Sequence, residues 1–290
     1  MLGQLNSNQP SVKLQSGLAN WLKIIQPLYL SFVPQTIQHR RNIDRAKLSD
    51  PLLIALMCWQ VDLKMTVQTR FYQFLTTTVF TKSSLPERSR FNRLCRQAWI
   101  NIQFIRIGLI KTAMEKLRFT IIDSLPMPLC APVRNLRAKA LKSLANIGYN
   151  ATKKVHYYGF KGSFEVGNNG LVLAYTITKA SIHDIKMVKT LLHEYSSPQV
   201  LADVGYLSKT LKADLLKQQL NFWTPVRHNM PQPKQDQRLL NRLRRRIETT
   251  FSQLVNLFDI ERFRVWSLTG FQSRLEQCLL VHNLRILGIN

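Results

Sequence analysis

Three carboxylates stand at positions from which they could carry out chemistry. Asp123 follows the apolar run Phe119–Ile122 and Asp203 follows the apolar run 200–202, so we expect each where a buried strand reaches the surface. A charge at such a point costs free energy unless something compensates it. Glu248 follows three arginines in a predicted helix, in a chain with only 16 acidic residues against 41 basic ones. Because acidic residues are so scarce in this chain, the positions of these three are informative.

The three side chains, Asp123, Asp203 and Glu248, will be called the carboxylate triad. Converging carboxylates repel one another, and their pKa values rise unless a divalent cation neutralises them. Oxygen ligands without His or Cys favour Mg²⁺ or Mn²⁺. Two such ions, about 3.5–4 Å apart, activate a water or a 3′-hydroxyl and stabilise the leaving oxygen of a phosphodiester. The carboxylate triad therefore indicates two-metal chemistry on a polyanion.

Each carboxylate also has a purely structural interpretation. Asp123 would cap a turn before Pro126, and Asp203 would begin the turn that follows it. Glu248 would pair with Arg244, four residues earlier, an interaction worth ~0.3–0.5 kcal/mol on a helix. Spacing alone leaves these alternatives open.

The elements that must position these residues change type near residue 115. Before it the apolar spacing is helical throughout, with helices predicted from Ser49, from Val67 and near Pro86. After it, five strand-like runs alternate with helices in the order β-β-β-α-β-α-β-α, which predicts an α/β fold. The five runs are RFTIID, KVHYYGFKGSFEV, LVLAYTIT, QVLAD and NFWTPV. We expect a helical region at 1–115, a candidate DNA-binding region, and a catalytic domain with C-terminal helices at 116–290.

Neighbouring strands would bring two members of the carboxylate triad together. Functional groups in an open α/β sheet collect outside the carboxyl ends of its strands. Asp123 and Asp203 meet there if the first and fourth strands are adjacent. Glu248 lies in the final predicted helix, one residue off a stripe formed by Leu239, Leu243, Ile247, Phe251, Leu254 and Phe258.

Arginines cover one side of the third predicted helix of the N-terminal half. A helical wheel places Phe91, Leu94, Cys95 and Ala98 on one side and Arg88, Arg90, Arg93 and Arg96 on the other. This cationic side is either a solvated surface or a DNA contact. The formal net charge of +25 favours a polyanionic partner, nucleic acid before an anionic membrane surface.

The remaining composition narrows the class of protein. The four cysteines have neither zinc-site nor disulfide spacing. No apolar run approaches the ~20 residues of a membrane span. We therefore expect a cytoplasmic protein with no membrane partner.

At IIDSLP, LADVGY and RRRIETTFSQL the sequence resembles the DDE-type transposases of bacterial insertion sequences, most closely insertion-sequence family nine-eighty-two. The resemblance covers Arg118 to the C terminus and, more weakly, the helical half. It implies an RNase H-like mixed five-stranded sheet flanked by helices. It also implies that Asp123, Asp203 and Glu248 are catalytic and bind two Mg²⁺ ions, with Mn²⁺ as an alternative.

Other motifs of the resemblance suggest supporting residues. Lys161, in Tyr158-Gly159-Phe160-Lys161, either contacts a DNA phosphate or is an exposed strand lysine. His183 and Asp184 either support the metal ligands or lie at the start of a helix from about His183 to Tyr195, which Ser181 and Asp184 begin in a capping-box-like pattern. Arginines next to the last carboxylate are expected to position DNA phosphates: Arg242, Arg244 and Arg245. At three positions the residue differs from the one that related insertion-sequence enzymes carry: Ser163, Asn241 and Val255.

The expected function is a transposase that binds the terminal inverted repeats of its own element, cleaves their ends and transfers the strands to target DNA. Holding two DNA ends implies a homodimer or a higher multimer on double-stranded DNA. Two other functions remain open from the sequence. One is an RNase H-like endonuclease without strand transfer, and the other is a catalytically dead DNA-binding remnant.

Overall fold

The chain forms two compact units in a computed structural model that describes residues 12–81, 83–151, 153–192, 197–226, 234–263 and 265–289. One unit holds the described residues of Met1–Leu109 and Arg264–Asn290, and the other is Ile110–Phe263. The helices are α1 (Val12–Phe32), α2 (Gln35–Gln38), α3 (Asp50–Asp62), α4 (Gln68–Phe74), α5 (Arg88–Gln97), α6 (Trp99–Ala113), α7 (Val188–Leu191), α8 (Lys209–Lys217), α9 (Lys234–Phe258) and α10 (Leu268–Ile286).

The first unit is helical, as the apolar spacing predicts. Helix α3 begins with Pro51 in its first turn, where the missing N–H costs nothing, and most of its side chains are buried. Helix α10 packs against α3 and α5. Its buried face includes Glu276, which accepts hydrogen bonds from Nε of Arg106 at 2.7 Å and from Nη2 at 3.2 Å.

The unit boundary differs from the expected one. The predicted catalytic domain begins at residue 116 and includes the C-terminal helices, whereas α10 belongs to the first compact unit and the division between the units lies inside α6, after Leu109. The reason is burial. Residues 275–284 of α10 are buried without interruption, and α3 and α5 of the first unit supply the surface that covers them.

The second unit is built on a mixed sheet. Its strands are β1 (Thr120–Pro128), β2 (Asn146–Asn150), β3 (Val155–Gly167), β4 (Val172–Lys179), β5 (Gln199–Ala202) and β6 (Asn221–Trp223). Strand β1 runs antiparallel to β3 and parallel to β5, and β5 runs parallel to β6. Strand β3 also pairs antiparallel with β2 and β4.

This sheet confirms the predicted fold class. All five predicted strand runs are present, and they pair in the order β4-β3-β1-β5-β6, flanked by helices. The sheet also has a sixth strand, β2, which the sequence did not predict. It pairs with the first five residues of β3, before β4 takes over along the rest of that strand.

No helix among the described residues combines the length and the apolar character that a membrane span requires.

Candidate active site

Asp123 and Asp203 occupy equivalent positions on two adjacent parallel strands. Ile122 of β1 pairs with Ala202 of β5, and the next residue of each chain segment is the aspartate. Strand β1 continues beyond Asp123 to Pro128, paired only with β3 on its other side. The expected turn at Asp123 is therefore absent, and the carboxylate lies where β1 loses its β5 neighbour. Adjacent strands are about 4.8 Å apart, which explains why the two side chains converge.

Backbone N–H groups orient both carboxylates. Oδ1 of Asp123 accepts the N–H of Ser124 at 2.8 Å, and Oδ1 of Asp203 accepts the N–H of Val204 at 2.6 Å. Asp203 thereby caps the short 3-10 helix Val204–Tyr206. Asp203 therefore begins the turn that follows it, as its structural interpretation predicts, and it also converges with Asp123.

Arg244 of α9 reaches both aspartates. Its Nη1 lies 3.0 Å from Oδ1 of Asp203, and its Nη2 lies 3.9 Å from Oδ2 of Asp123. Helix α9 covers this face of the sheet because Phe164, the β3 partner of Asp123, packs edge-on against Phe251 of α9 at 5.7 Å between ring centroids. The guanidinium is held between the two carboxylates.

Burial raises the pKa of the Asp123 carboxyl to about 6, in spite of the N–H of Ser124 and the charge of Arg244, which both lower it. The negative charges of Asp203 and Asp184 raise this pKa further. The anionic form of Asp123 is therefore incompletely compensated by the groups of the chain itself.

Glu248 is not brought together with the two aspartates. Its side chain is exposed on α9, one helical turn after Arg244. No group of three or more His, Cys, Asp or Glu residues in the described part of the chain is arranged to hold a metal ion. The buried stripe of α9 also differs from the predicted one, because Leu240 and Arg244 are buried in it while Leu239 is exposed.

The family of the chain follows from its sequence between these elements. The family described as Transposase DDE domain matches residues 113–268, more than half of the 290 residues, and the match includes the whole carboxylate triad. This chain belongs to the transposase DDE domain family. The cryo-EM structure of the piggyBac transposase synaptic complex with hairpin DNA is distantly similar, with a TM-score of 0.44 and 10% identity over 99% of this chain and 79% of that chain. No curated protein matches the chain.

Lys161 of the transposase domain is held by the segment that follows β4. Its Nζ donates to the carbonyl oxygen of Ile182 at 2.9 Å and lies 3.0 Å from Oδ1 of Asp184. It is therefore not an exposed strand lysine. Asp184 in turn lies close enough to affect the pKa of Asp123.

His183 caps the short helical segment that begins with Asp184. Its Nδ1 accepts the N–H of Ile185 at 3.4 Å, so the cap is His183 and not the expected Ser181. Ser181 instead accepts a hydrogen bond from Asn146 of β2 at 2.7 Å. The helix expected from His183 to Tyr195 is a 3-10 turn followed by the single turn of α7; residues 193–196 lie outside the described residues.

Tyr206 is a neighbour of the site that the sequence did not single out. Burial raises the pKa of its phenol, and the charges of Asp123 and Asp184 raise it further. It follows Asp203 by three residues, in the LADVGY run that contributes to the family resemblance. That run is the signal in the sequence that points to Tyr206.

The arginines expected to bind DNA fall into different environments. Arg88, Arg90 and Arg93 are exposed on α5 of the first unit, and Arg96 is half-buried. Arg88 and Arg96 line a groove between α4 and α5 together with Gln68, Thr69 and Asn92. On α9 of the second unit, Arg242 and Arg245 are exposed, whereas Arg244 is 9% exposed and faces the aspartates.

Proposed function

We propose that this protein is the transposase of a bacterial insertion sequence of family nine-eighty-two, which binds the terminal inverted repeats, cleaves their ends with two divalent metal ions and transfers the strands to target DNA. The observation that carries the proposal is the convergence of Asp123 and Asp203 at equivalent positions of adjacent strands, directly after the paired residues Ile122 and Ala202. In a chain of the transposase DDE domain family, these are the two aspartates that the family resemblance implies as ligands.

The chemistry of the two aspartates fits a divalent cation. Both are hard oxygen donors, and the only positive charge within ion-pair distance of both among the described residues is the guanidinium of Arg244. The raised pKa of Asp123 indicates that further positive charge would stabilise its anion. Divalent ions bound there would lower the pKa of the attacking hydroxyl and would neutralise the negative charge that develops on the leaving oxygen.

Each residue of the site has a proposed role in this reaction. Asp123 and Asp203 hold the metal, fixed by the backbone N–H groups that they accept. Glu248 is the proposed third ligand; it lies about 6 Å further along the α9 axis than Arg244, so its side chain must turn towards the sheet. Lys161 keeps Asp184 paired, and Asp184 with His183 fixes the segment beside the ligands.

DNA is the proposed partner of two separate basic surfaces. In the first unit, the exposed arginines of α5 and the polar groove next to them suit phosphate contacts and hydrogen bonds to base edges. In the second unit, Arg242 and Arg245 of α9 are exposed and suit contacts with DNA phosphates near the site.

We further propose that the protein forms a dimer or a higher multimer on the two DNA ends and that it acts in the cytoplasm at the nucleoid. Light scattering with end DNA measures the number of protomers per complex. A single protomer per complex would contradict the proposed multimer.

A plasmid cleavage assay tests the enzymatic part of the proposal. Supercoiled plasmid carrying the element's ends is incubated with protein and Mg²⁺ or Mn²⁺, and wild type is compared with Asp203→Asn. The matched control is Asp214→Asn, which removes an exposed carboxylate on α8 that pairs only with Lys189 among the described residues. We expect metal-dependent cleavage by wild type and by the control, and a loss of at least about 10³-fold in Asp203→Asn.

The products then separate the remaining functions. Joined products in a strand-transfer assay support a transposase, whereas cleavage without joining supports an RNase H-like endonuclease. One observation favours a third candidate, a DNA-binding remnant without activity: Glu248 is exposed and apart from the aspartates. Wild-type protein that binds the ends but cleaves with neither metal would establish that candidate and reject the enzyme.

A further inference from the structure

Arg244 lies in the space between two carboxylates that the proposed function assigns to metal. Its side chain is 11% exposed, compared with 25% for Asp123 and 44% for Asp203. The guanidinium is close to one carboxylate, at 3.0 Å, and further from the other, at 3.9 Å. The guanidinium therefore neutralises the same two carboxylates that would hold a metal ion.

The sequence of α9 gives Arg244 a different environment from its neighbours. Arg238, Arg242, Arg245 and Arg246 are all exposed, and Arg244 is the buried arginine of the described part of this helix. It sits in the buried stripe between Leu240 and Ile247. A buried charge is tolerated only when it is paired, so the two aspartates are what keep the guanidinium there.

The pairing of Arg244 is also incomplete. Its Nε is buried and has no hydrogen-bond acceptor in the described part of the structure. Nη2 lies beyond hydrogen-bond distance of Asp123. The side chain is therefore held by charge more than by a full set of hydrogen bonds, and charge can be supplied equally well by another cation.

We propose that Arg244 is a built-in counter-ion that holds Asp123 and Asp203 in the metal-free protein and gives them up when a divalent cation binds. This inference rests on the proposed metal site. A guanidinium and a divalent cation at the same oxygen atoms repel each other, so Arg244 lowers metal affinity as long as it remains between the carboxylates. Once released, it is available for a DNA phosphate beside the exposed Arg245.

The affinity of the DNA-free protein for Mn²⁺ tests the proposal without any measurement of activity. We expect titration calorimetry to give a dissociation constant about tenfold lower for Arg244→Gln than for wild type, because the competing charge is gone. Arg245→Gln is the matched control: it removes the same charge from the next position of α9, where the side chain is exposed. An equal affinity for wild type and Arg244→Gln, or an equal gain in both variants, would overturn the proposal.

A measurement on the wild-type protein keeps the test independent of how the variant folds. The Nε–H nuclear magnetic resonance signal of Arg244 is identified by its loss in Arg244→Lys, which keeps the charge. We expect this signal to shift when Mg²⁺ saturates the site, because the guanidinium leaves the carboxylates. A signal that does not move at saturation would contradict the release of Arg244.

Asp203→Asn distinguishes the failure of this inference from the failure of the proposed function. If Asp203→Asn binds Mn²⁺ as tightly as wild type, the aspartates do not form the metal site and the proposed function loses its basis. If Asp203→Asn loses Mn²⁺ binding while Arg244→Gln binds as wild type does, the metal site stands and only the counter-ion role is rejected.

Discussion

Asp123 and Asp203 occupy equivalent positions on adjacent strands but have unequal surroundings. The Asp123 side chain is 25% exposed and Asp203 is 44% exposed. Asp203 has the closer contact with Arg244, at 3.0 Å against 3.9 Å for Asp123. Asp123 is therefore the carboxylate whose negative charge is less well compensated.

We expect Mn²⁺ binding to weaken as the pH falls through about 6, the pKa to which burial raises the Asp123 carboxyl. A ligand carboxylate must be ionised, so metal binding releases a proton whenever Asp123 is protonated in the free protein. Above that pH the affinity should be nearly constant, and below it the affinity should fall by up to about tenfold per pH unit. Titration calorimetry at pH 5, 6 and 7 measures this dependence.

The same experiment on Asp123→Asn is the control for that prediction. Its residual Mn²⁺ binding should lack the step near pH 6, because the titrating group is absent. Wild-type affinity that stays the same from pH 5 to pH 7 would mean that Asp123 is either ionised throughout or not a ligand.

At the scale of elements, the strands were predictable and one was missed for a physical reason. The five predicted runs are rich in β-branched and aromatic residues, and those side chains are what the sheet buries. Strand β2, by contrast, is Asn-Ile-Gly-Tyr-Asn, and its Asn and Gly residues are typical of turns. It becomes a strand because the edge of β3 is available at residues 155–159.

The site was predictable only in part. Asp123 and Asp203 follow apolar runs, and this pattern correctly predicts that they lie side by side on neighbouring strands, although β1 continues beyond Asp123. The position of Arg244 could not be derived in this way, because a buried arginine contradicts the rule that apolar residues form the buried stripe of a helix. Only the completed sheet shows the two carboxylates that make its burial tolerable. The role of Glu248 remains a prediction.

The glycine of the Tyr-Gly-Phe-Lys motif allows β1 and β3 to approach closely. A Cβ added to Gly159 would lie 2.9 Å from Cα of Pro128 and still closer to the carbonyl oxygen of Met127. We expect Gly159→Ala to destabilise the protein by about 1–3 kcal/mol in urea unfolding, since backbone atoms cannot move aside as side chains do. Gly205→Ala, where nothing lies within 4 Å, is the control and should change stability by less than about 0.5 kcal/mol. Equal effects would show that the loss is not caused by the clash.

Helix α10 and the part of α6 that belongs to the first unit share a buried ion pair. Arg106 and Glu276 have side chains that are 4% and 0% exposed. Removing one partner leaves the other charge buried, so Glu276→Gln should lower the free energy of unfolding by about 3–5 kcal/mol. Lys189→Gln, which breaks the exposed pair with Asp214, should cost no more than about 1 kcal/mol. Comparable losses in the two variants would argue against an effect of burial.

At the scale of the whole molecule, most of the positive charge of the described residues lies at the surface. The net charge is +25, and most of the arginines expected to bind DNA are exposed. The two buried arginines of the described residues, Arg106 and Arg244, are both paired with carboxylates. The exposed arginines, unlike the two buried ones, do not need a carboxylate of the chain to be stable where they lie. Their positive charge is therefore available to a polyanion.

This distribution predicts how DNA affinity depends on salt. Each phosphate neutralised by a cation contributes about −0.9 to the slope of log K against log salt concentration. If Arg88, Arg90 and Arg93 contact phosphates, replacing all three by Gln should reduce the magnitude of the slope by up to about 2.7. Fluorescence anisotropy on duplex DNA between about 50 and 200 mM salt measures this slope. Replacing Lys209, Lys212 and Lys217, which are exposed on α8, removes the same charge elsewhere. An equal change of slope in the two triple variants would show that only net charge matters. A change of slope confined to the α5 variant would identify α5 as a surface that contacts the DNA backbone.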